Sequence, residues 1–330
     1  MKNEFLIDLN DHASSWIYPV EVKMNGVIGE HQSTIIMGEG PHKMFCFTDS
    51  VMHPIPEGAN PDDFAMMHEH RIGFEIFFVD SGKMWLYGEG YKCLVLPGDI
   101  LFLPAYRAHG MVFLEDVKYR GIFHDLSSCD DAPAMNALIR HSPGAVDSEE
   151  FQKTRGGGGP SGDFVFRERA VFEELPVEKV SAVRSPKRPL SVFELDGVTM
   201  KMISARWENS GVCEMWCAEL KKGFKAEWDK FPKNHELWYV REGEVKFKVY
   251  EEEFVAKAGC LVNIPKFASH SIEALTDAEV YDCGGITFWS ALLNDVASVK
   301  KYDPERAAKP ETIPELKAKF GCDIKSFGLK

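Results

Sequence analysis

The sequence predicts an all-β protein: two β-barrel (jelly-roll) domains in tandem, with a few peripheral helices. Two observations carry that expectation. The first is a gap-free internal repeat, in which a shift of 161 positions lays FEIFFVDSGKMWLYGEGYKCLVLPGDILFLPAYRAHG on HELWYVREGEVKFKVYEEEFVAKAGCLVNIPKFASHS. Under that one offset Glu75 meets Glu236, Val79 meets Val240, Gly82 meets Gly243, Gly98 meets Gly259, Pro104 meets Pro265 and His109 meets His270. The second is that each copy reads as short β-rich runs parted by glycine-containing turns, the pattern of a sandwich or closed barrel.

The elements follow in chain order. Residues 1–141 hold the first copy and form the N-terminal barrel. IFFVDSGKMWLY has two β-rich runs around Asp80-Ser81-Gly82, which is a hairpin signal, and LWYVREGEVKFKVY repeats it. CLVLPGDILFLP then gives strand, turn and strand up to Pro104, as FVAKAGCLVNIP does up to Pro265. Residues 142–165 are the expected linker, because four consecutive glycines, Gly156 to Gly159, fit no regular element cheaply. Residues 166–300 form the C-terminal barrel, and 301–330 a helical tail in which Thr312 caps an amphipathic run after FWSALLNDVASV has shown helical spacing.

Composition narrows the function. A chain of 330 residues suits two domains of ordinary size, and 45% hydrophobic content with 23 Phe describes a compact globular protein. Acidic residues outnumber basic ones by 51 to 38, and the net charge of −13 repels phosphate backbones and anionic lipid headgroups. Neither nucleic acid nor membrane is therefore an expected partner. MKNEFLIDLNDHASSW lacks the apolar run of a signal peptide, so the expected location is the cytoplasm. Eight cysteines without CxxC pairing, Cys213 and Cys217 being the nearest two, fit reduced and mostly buried thiols.

The chemistry sits in HEHRIGFEIFFVDSG. His68 and His70 are two residues apart, so an extended chain points both imidazoles to one side. Glu75 follows at the start of the strong β run, and His109 returns 34 residues after it. Three imidazoles and one carboxylate suit one divalent transition metal, with positions left open for water or substrate. The apolar neighbours Phe77, Phe102 and Phe113, with Val79 and Met66, are the expected substrate-contacting walls, favouring an aromatic or otherwise poorly hydrated substrate. Taken singly, each reads better as an ordinary core residue of a small barrel.

These residues resemble the cupin superfamily. Its first motif is HxH, three or four residues, Glu, six residues, Gly, matched by His68, His70, Glu75 and Gly82. Its second, Gly, five residues, Pro, a short gap and His, is matched by Gly98, Pro104 and His109, with Phe113 where an Asn often stands. The resemblance implies a bicupin whose metal is held by His68, His70, Glu75 and His109. Iron(II) is the first expectation, with Mn2+, Ni2+, Co2+ and Zn2+ also suited. At the offset of 161 the counterparts of His68 and His70 are Asp229 and Phe231, so the second site is degraded. Asp229, Glu236 and His270 are its remaining set for a weak metal. An intact N-terminal site looks like that of the quercetinase-like dioxygenases, which implies a metal-dependent oxidoreductase acting on an aromatic or enolic small molecule, with Glu75 as catalytic proton acceptor. The same ligands also serve non-redox cupin isomerases, decarboxylases and lyases, for which Lys83, Arg107 or Arg120 would be available to an anionic substrate although they read first as solvated surface charges, and non-catalytic small-molecule-binding cupins. Two-barrel cupins commonly associate, so a homodimer is expected. His53 and His124 read as structural residues, His124 alternatively as a base beside the site.

Overall fold

The computed structural model describes residues 3, 5–10, 18–24, 27–37, 44–65, 67–70, 74–104, 106–124, 164–166, 171–205, 208, 214–230, 236–265, 267–283, 288–320 and 323–327. It forms two compact units, one of Ala13–Ser185 and one of Met1–His12 with Pro186–Lys330. This division departs from the boundaries expected at 141, 165 and 300, and strand pairing is the reason. Phe164–Phe166, Glu173–Glu174 and Val183–Arg184 pair with strands of the first barrel, while Leu6–Asp8 pairs with Cys260–Ile264 of the second. Backbone groups at a sheet edge need partners, and these short strands supply them. The four consecutive glycines lie outside the described residues.

The first unit is built from two sheets. In the six-stranded one, His68–His70 and Met84–Gly88 flank His109–Phe113. In the seven-stranded one, Ile100–Pro104 and Val117–His124 flank Phe74–Ser81. Phe74–Ser81 and Met84–Gly88 thus belong to different sheets, so the Asp80-Ser81-Gly82 turn carries the chain between sheets and is not the expected hairpin. Gly82 makes that corner possible. Its φ of 79° suits glycine, and an added Cβ would lie 2.2 Å from the Asp116 carbonyl oxygen. Gly243 repeats the corner in the second unit with φ 82° and the Asp277 carbonyl at 2.4 Å.

The core of the first unit lies between its sheets. Phe77, Val79, Leu101, Leu103 and Tyr119 come from one sheet and Met84, Leu86, Cys93, Val95 and Phe113 from the other, in one buried cluster. The second unit repeats this with a seven-stranded and a five-stranded sheet around Trp216, Trp238, Val240, Phe247, Val262 and Ile272. Three α-helices occur among the described residues, Phe288–Tyr302, Pro304–Ala307 and Thr312–Phe320. The tail is not wholly helical, since Asp323–Phe327 closes it as a strand on Lys225–Lys230. Thr312 begins its helix, and its hydroxyl donates to the Arg306 carbonyl. Cys93, Cys217, Cys260 and Cys283 are buried thiols not joined in disulfides. No described helix is long and apolar enough to cross a membrane.

Candidate metal centre

Glu75 and His109 reach the barrel interior from opposite sheets. Along Phe74–Ser81 the period of two puts Glu75, Phe77 and Val79 on one face, and Phe77 and Val79 are in the core cluster. Along His109–Phe113 the same period groups His109 with Met111 and Phe113, which pack on that cluster. Nε2 of His109 and Oε2 of Glu75 meet at 3.1 Å, and the side chains are only 2% and 6% exposed. Nδ1 of His109 donates to the Arg107 carbonyl at 2.9 Å, since a carbonyl can only accept. With that proton committed, a carboxylate beside Nε2 is stabilised by a second ring proton or by a cation shared between the two groups. Two neighbouring ligands each about 2.1 Å from one transition metal lie about 3 Å apart. The donor set and its spacing therefore fit a metal ion.

The third and fourth expected ligands arrive by backbone register. His68 pairs with His109 across adjacent strands, and His70, two residues along the same strand, pairs with Phe164. The side chains of His68 and His70 lie outside the described residues, as does Met66. Among the described residues no group of three or more His, Cys, Asp or Glu side chains is assembled that could hold a metal.

Of the expected substrate walls, Phe77 and Phe113 line the interior with Glu75, but Phe102 does not. Leu103 pairs with Glu75 and Phe102 with Ile76, so Phe102 takes the opposite face of the sheet. A residue not singled out in the sequence stands in its place. Tyr119 meets Phe77 edge-on at 5.1 Å and stacks on Phe113 at 6.3 Å, between ring centroids. Burial pushes its phenol up to about 12, with the Glu75 charge adding to the rise and a hydrogen bond to Ser50 opposing it. Its signal was present in the alternation of VKYRGIFH, where Tyr119, Gly121 and Phe123 pair with Val79, Phe77 and Glu75.

The basic residues considered for an anionic substrate have other partners. Lys83 pairs with Glu115 at 2.8 Å, Arg107 donates to Ser181 Oγ at 2.8 Å, and Arg120 binds Asp80 at 2.9 Å. His53 contacts Asp116 at 2.8 Å in an exposed position, and the His124 side chain lies outside the described residues.

The second unit keeps half of this arrangement. Nε2 of His270 lies 3.2 Å from Oε2 of Glu236, both fully buried, and Nδ1 donates to the Ala268 carbonyl at 3.0 Å. Burial lowers the His270 pKa, but the Glu236 charge, its hydrogen bond and the Ala268 carbonyl together raise it above the ordinary value. Where the first barrel has Phe77, the second has Trp238, whose Nε1 donates to Glu236 Oε2 at 3.0 Å. Register also revises the counterpart of His68. Trp228 pairs with His270, so Asp229 is one position away from the place that the gap-free offset gives it.

No protein-family model matches the sequence, and no curated protein does. Solved structures do match in fold. A variant of Bacillus subtilis oxalate decarboxylase aligns at TM-score 0.52 and 12% identity, over 92% of this chain and 85% of that one. Lactobacillus farciminis oxalate decarboxylase in its formate complex aligns at TM-score 0.51 and 14% identity, over 96% and 97%. A Bacillus subtilis oxalate decarboxylase structure concerned with its Mn(II) centres aligns at TM-score 0.52 and 12% identity, over 97% and 84%. The chain therefore has the bicupin fold, shared over nearly its whole length with metal-dependent enzymes of that architecture.

Proposed function

We propose that the chain is a metal-dependent bicupin enzyme whose chemistry runs in the N-terminal barrel, on a small aromatic or enolic substrate, as a dioxygenase. The observation that carries this reading is the buried Glu75–His109 pair enclosed by Phe77, Phe113 and Tyr119. His68, His70, Glu75 and His109 would hold one divalent transition metal, iron or manganese foremost. Such a metal supplies Lewis-acid polarisation and, when redox-active, dioxygen activation. The chain's own residues do the rest. The aromatic walls exclude water and hold a flat substrate against the carboxylate. Glu75 takes the proton of a substrate hydroxyl, for which a carboxylate in an apolar interior is suited. Lys83, Arg107 and Arg120 being engaged elsewhere favours a substrate of low charge over a dicarboxylate.

A second reading is oxygen-independent decarboxylation of a small carboxylate, favoured by the fold shared with the oxalate decarboxylases. One experiment separates the two: protein reconstituted with Fe(II) or Mn(II) is assayed for oxygen uptake with flavonols and other enolic aromatics, and for anaerobic CO2 release from oxalate. Oxygen consumption with an aromatic enol supports the first reading. Anaerobic CO2 release without it overturns that reading in favour of the second.

A further inference from the structure

Tyr106 and Phe267 stand 161 positions apart, the offset of the repeat, and both have left-handed backbone, with φ 62° and 66°. That conformation is costly for any residue with a Cβ and uncommon for bulky ones. Burial of the rings does not account for it, since Tyr106 is 70% and Phe267 54% exposed. What the two positions share lies further along the chain. In each copy a histidine follows three residues later, and the carbonyl of the residue directly after the left-handed one, Arg107 or Ala268, accepts from its Nδ1 at 2.9 or 3.0 Å. In the second copy the Ala268 N–H also donates to the Pro265 carbonyl at 3.1 Å, closing a four-residue turn with Phe267 in third place. A positive φ at the third place is what such a turn demands when it is of the type that usually carries glycine there. The Ala268 backbone is thereby held at both ends, by Pro265 and by the imidazole.

We propose that Tyr106 is a positioning residue for His109. Its left-handed backbone, and not its ring, aims the Arg107 carbonyl at Nδ1, keeps a proton on that nitrogen and leaves Nε2 directed at Glu75. Phe267 does the same for His270. The unit of turn, imidazole and carboxylate persists in the second barrel, where Trp228 stands opposite the histidine, so it does not depend on the other ligands.

The test compares full-length wild type with Tyr106→Gly, which accepts the left-handed backbone freely, and Tyr106→Val, whose β-branched side chain opposes it. Nitrogen-15 spectra of the metal-free proteins, recorded at a pH alkaline enough for the ring to be neutral and with His109 assigned by its loss in His109→Asn, report which ring nitrogen carries the remaining proton. Titration with Mn(II) alone reports affinity; only this arm rests on the metal-centre reading above. Tyr106→Gly is expected to keep the Nδ1 proton and the wild-type affinity. Tyr106→Val is expected to move the ring signals and to weaken Mn(II) binding about 10- to 100-fold, the usual effect of losing a ligand's outer partner. Unchanged ring signals in Tyr106→Val, or equal losses in Tyr106→Gly, would overturn the proposal, the latter pointing to the ring. Wild type that binds no Mn(II) would sink the metal reading while leaving the tautomer comparison in force. Should Tyr106→Val not fold, Phe267→Gly and Phe267→Val give the same comparison at His270.

Discussion

The imidazole of His109 turns Nε2 toward Glu75, 3.1 Å away, while its other nitrogen is tied to the Arg107 carbonyl. The two residues come from different sheets, so their meeting depends on the closure of the barrel and not on a local motif. Removing either should expose the dependence. Glu75→Ala and His109→Ala are each expected to lower Mn(II) or Fe(II) affinity at least about tenfold, and each leaves the other polar group buried without its partner. Loss of one member of a buried pair costs about 3–5 kcal/mol. In the double variant the losses should be smaller than the sum of the two, a coupling that a thermal-unfolding double-mutant cycle measures directly.

Gly82 offers a test of the corner between sheets. Its left-handed backbone costs a residue with a Cβ about 1–2 kcal/mol, and the Asp116 carbonyl 2.2 Å from the added carbon compels a further shift. Gly82→Ala should therefore destabilise the first barrel by about 3 kcal/mol or more. Gly90, with φ 75° and no atom within 4 Å of an added Cβ, is the control, and Gly90→Ala should lose only the backbone part. Equal melting temperatures for the two variants would refute the steric account.

The spacing of His68, His70, Glu75, Gly82, Gly98, Pro104 and His109 made the fold and the Glu75–His109 pair legible, because turns and strand register fix these positions along the chain. Phe102 was not legible. It lies in ILFLP, a strand buried on both faces, where unbroken apolar character carries no facing information. Only the pairing of Leu103 with Glu75 decides the matter. Asp229 misled for a related reason: an offset that is gap-free through the β core slips by one on the strand carrying Trp228. The Asp80-Ser81-Gly82 turn announced a chain reversal, but a turn signal does not say which strand becomes the partner, and long-range pairing chose the other sheet.

Tyr119 is the interior group that the aromatic wall adds to the pair. With its phenol pushed up to about 12, it stays protonated through the working range of pH. Tyr119→Phe removes the hydroxyl but keeps the ring contacts with Phe77 and Phe113. Loss of the hydrogen bond to Ser50 should cost about 1 kcal/mol of stability. Metal content should be unchanged, since the hydroxyl is not in the ligand set. If the phenol hydrogen-bonds substrate, kcat/KM should fall about 10- to 100-fold at equal metal loading, whereas a merely structural Tyr119 would leave turnover untouched.

His270 makes the stability of the second barrel depend on pH. Its pKa is raised in the fold: burial works against the charged ring, but the Glu236 charge and hydrogen bond, with the Ala268 carbonyl, outweigh it. A group whose pKa is higher folded than unfolded binds its proton more tightly in the native state. Its contribution is therefore fully present below the unfolded value of about 6.5 and is lost as pH rises through the folded value. For the metal-free protein, thermal unfolding of this unit should show falling stability as pH rises above that unfolded value. Glu236→Gln removes the charge that holds the proton, so the slope should flatten while its Trp238 neighbour can still donate to the side-chain oxygen. A slope that survives Glu236→Gln unchanged would assign the pH dependence to other groups and remove the buried pair from the account.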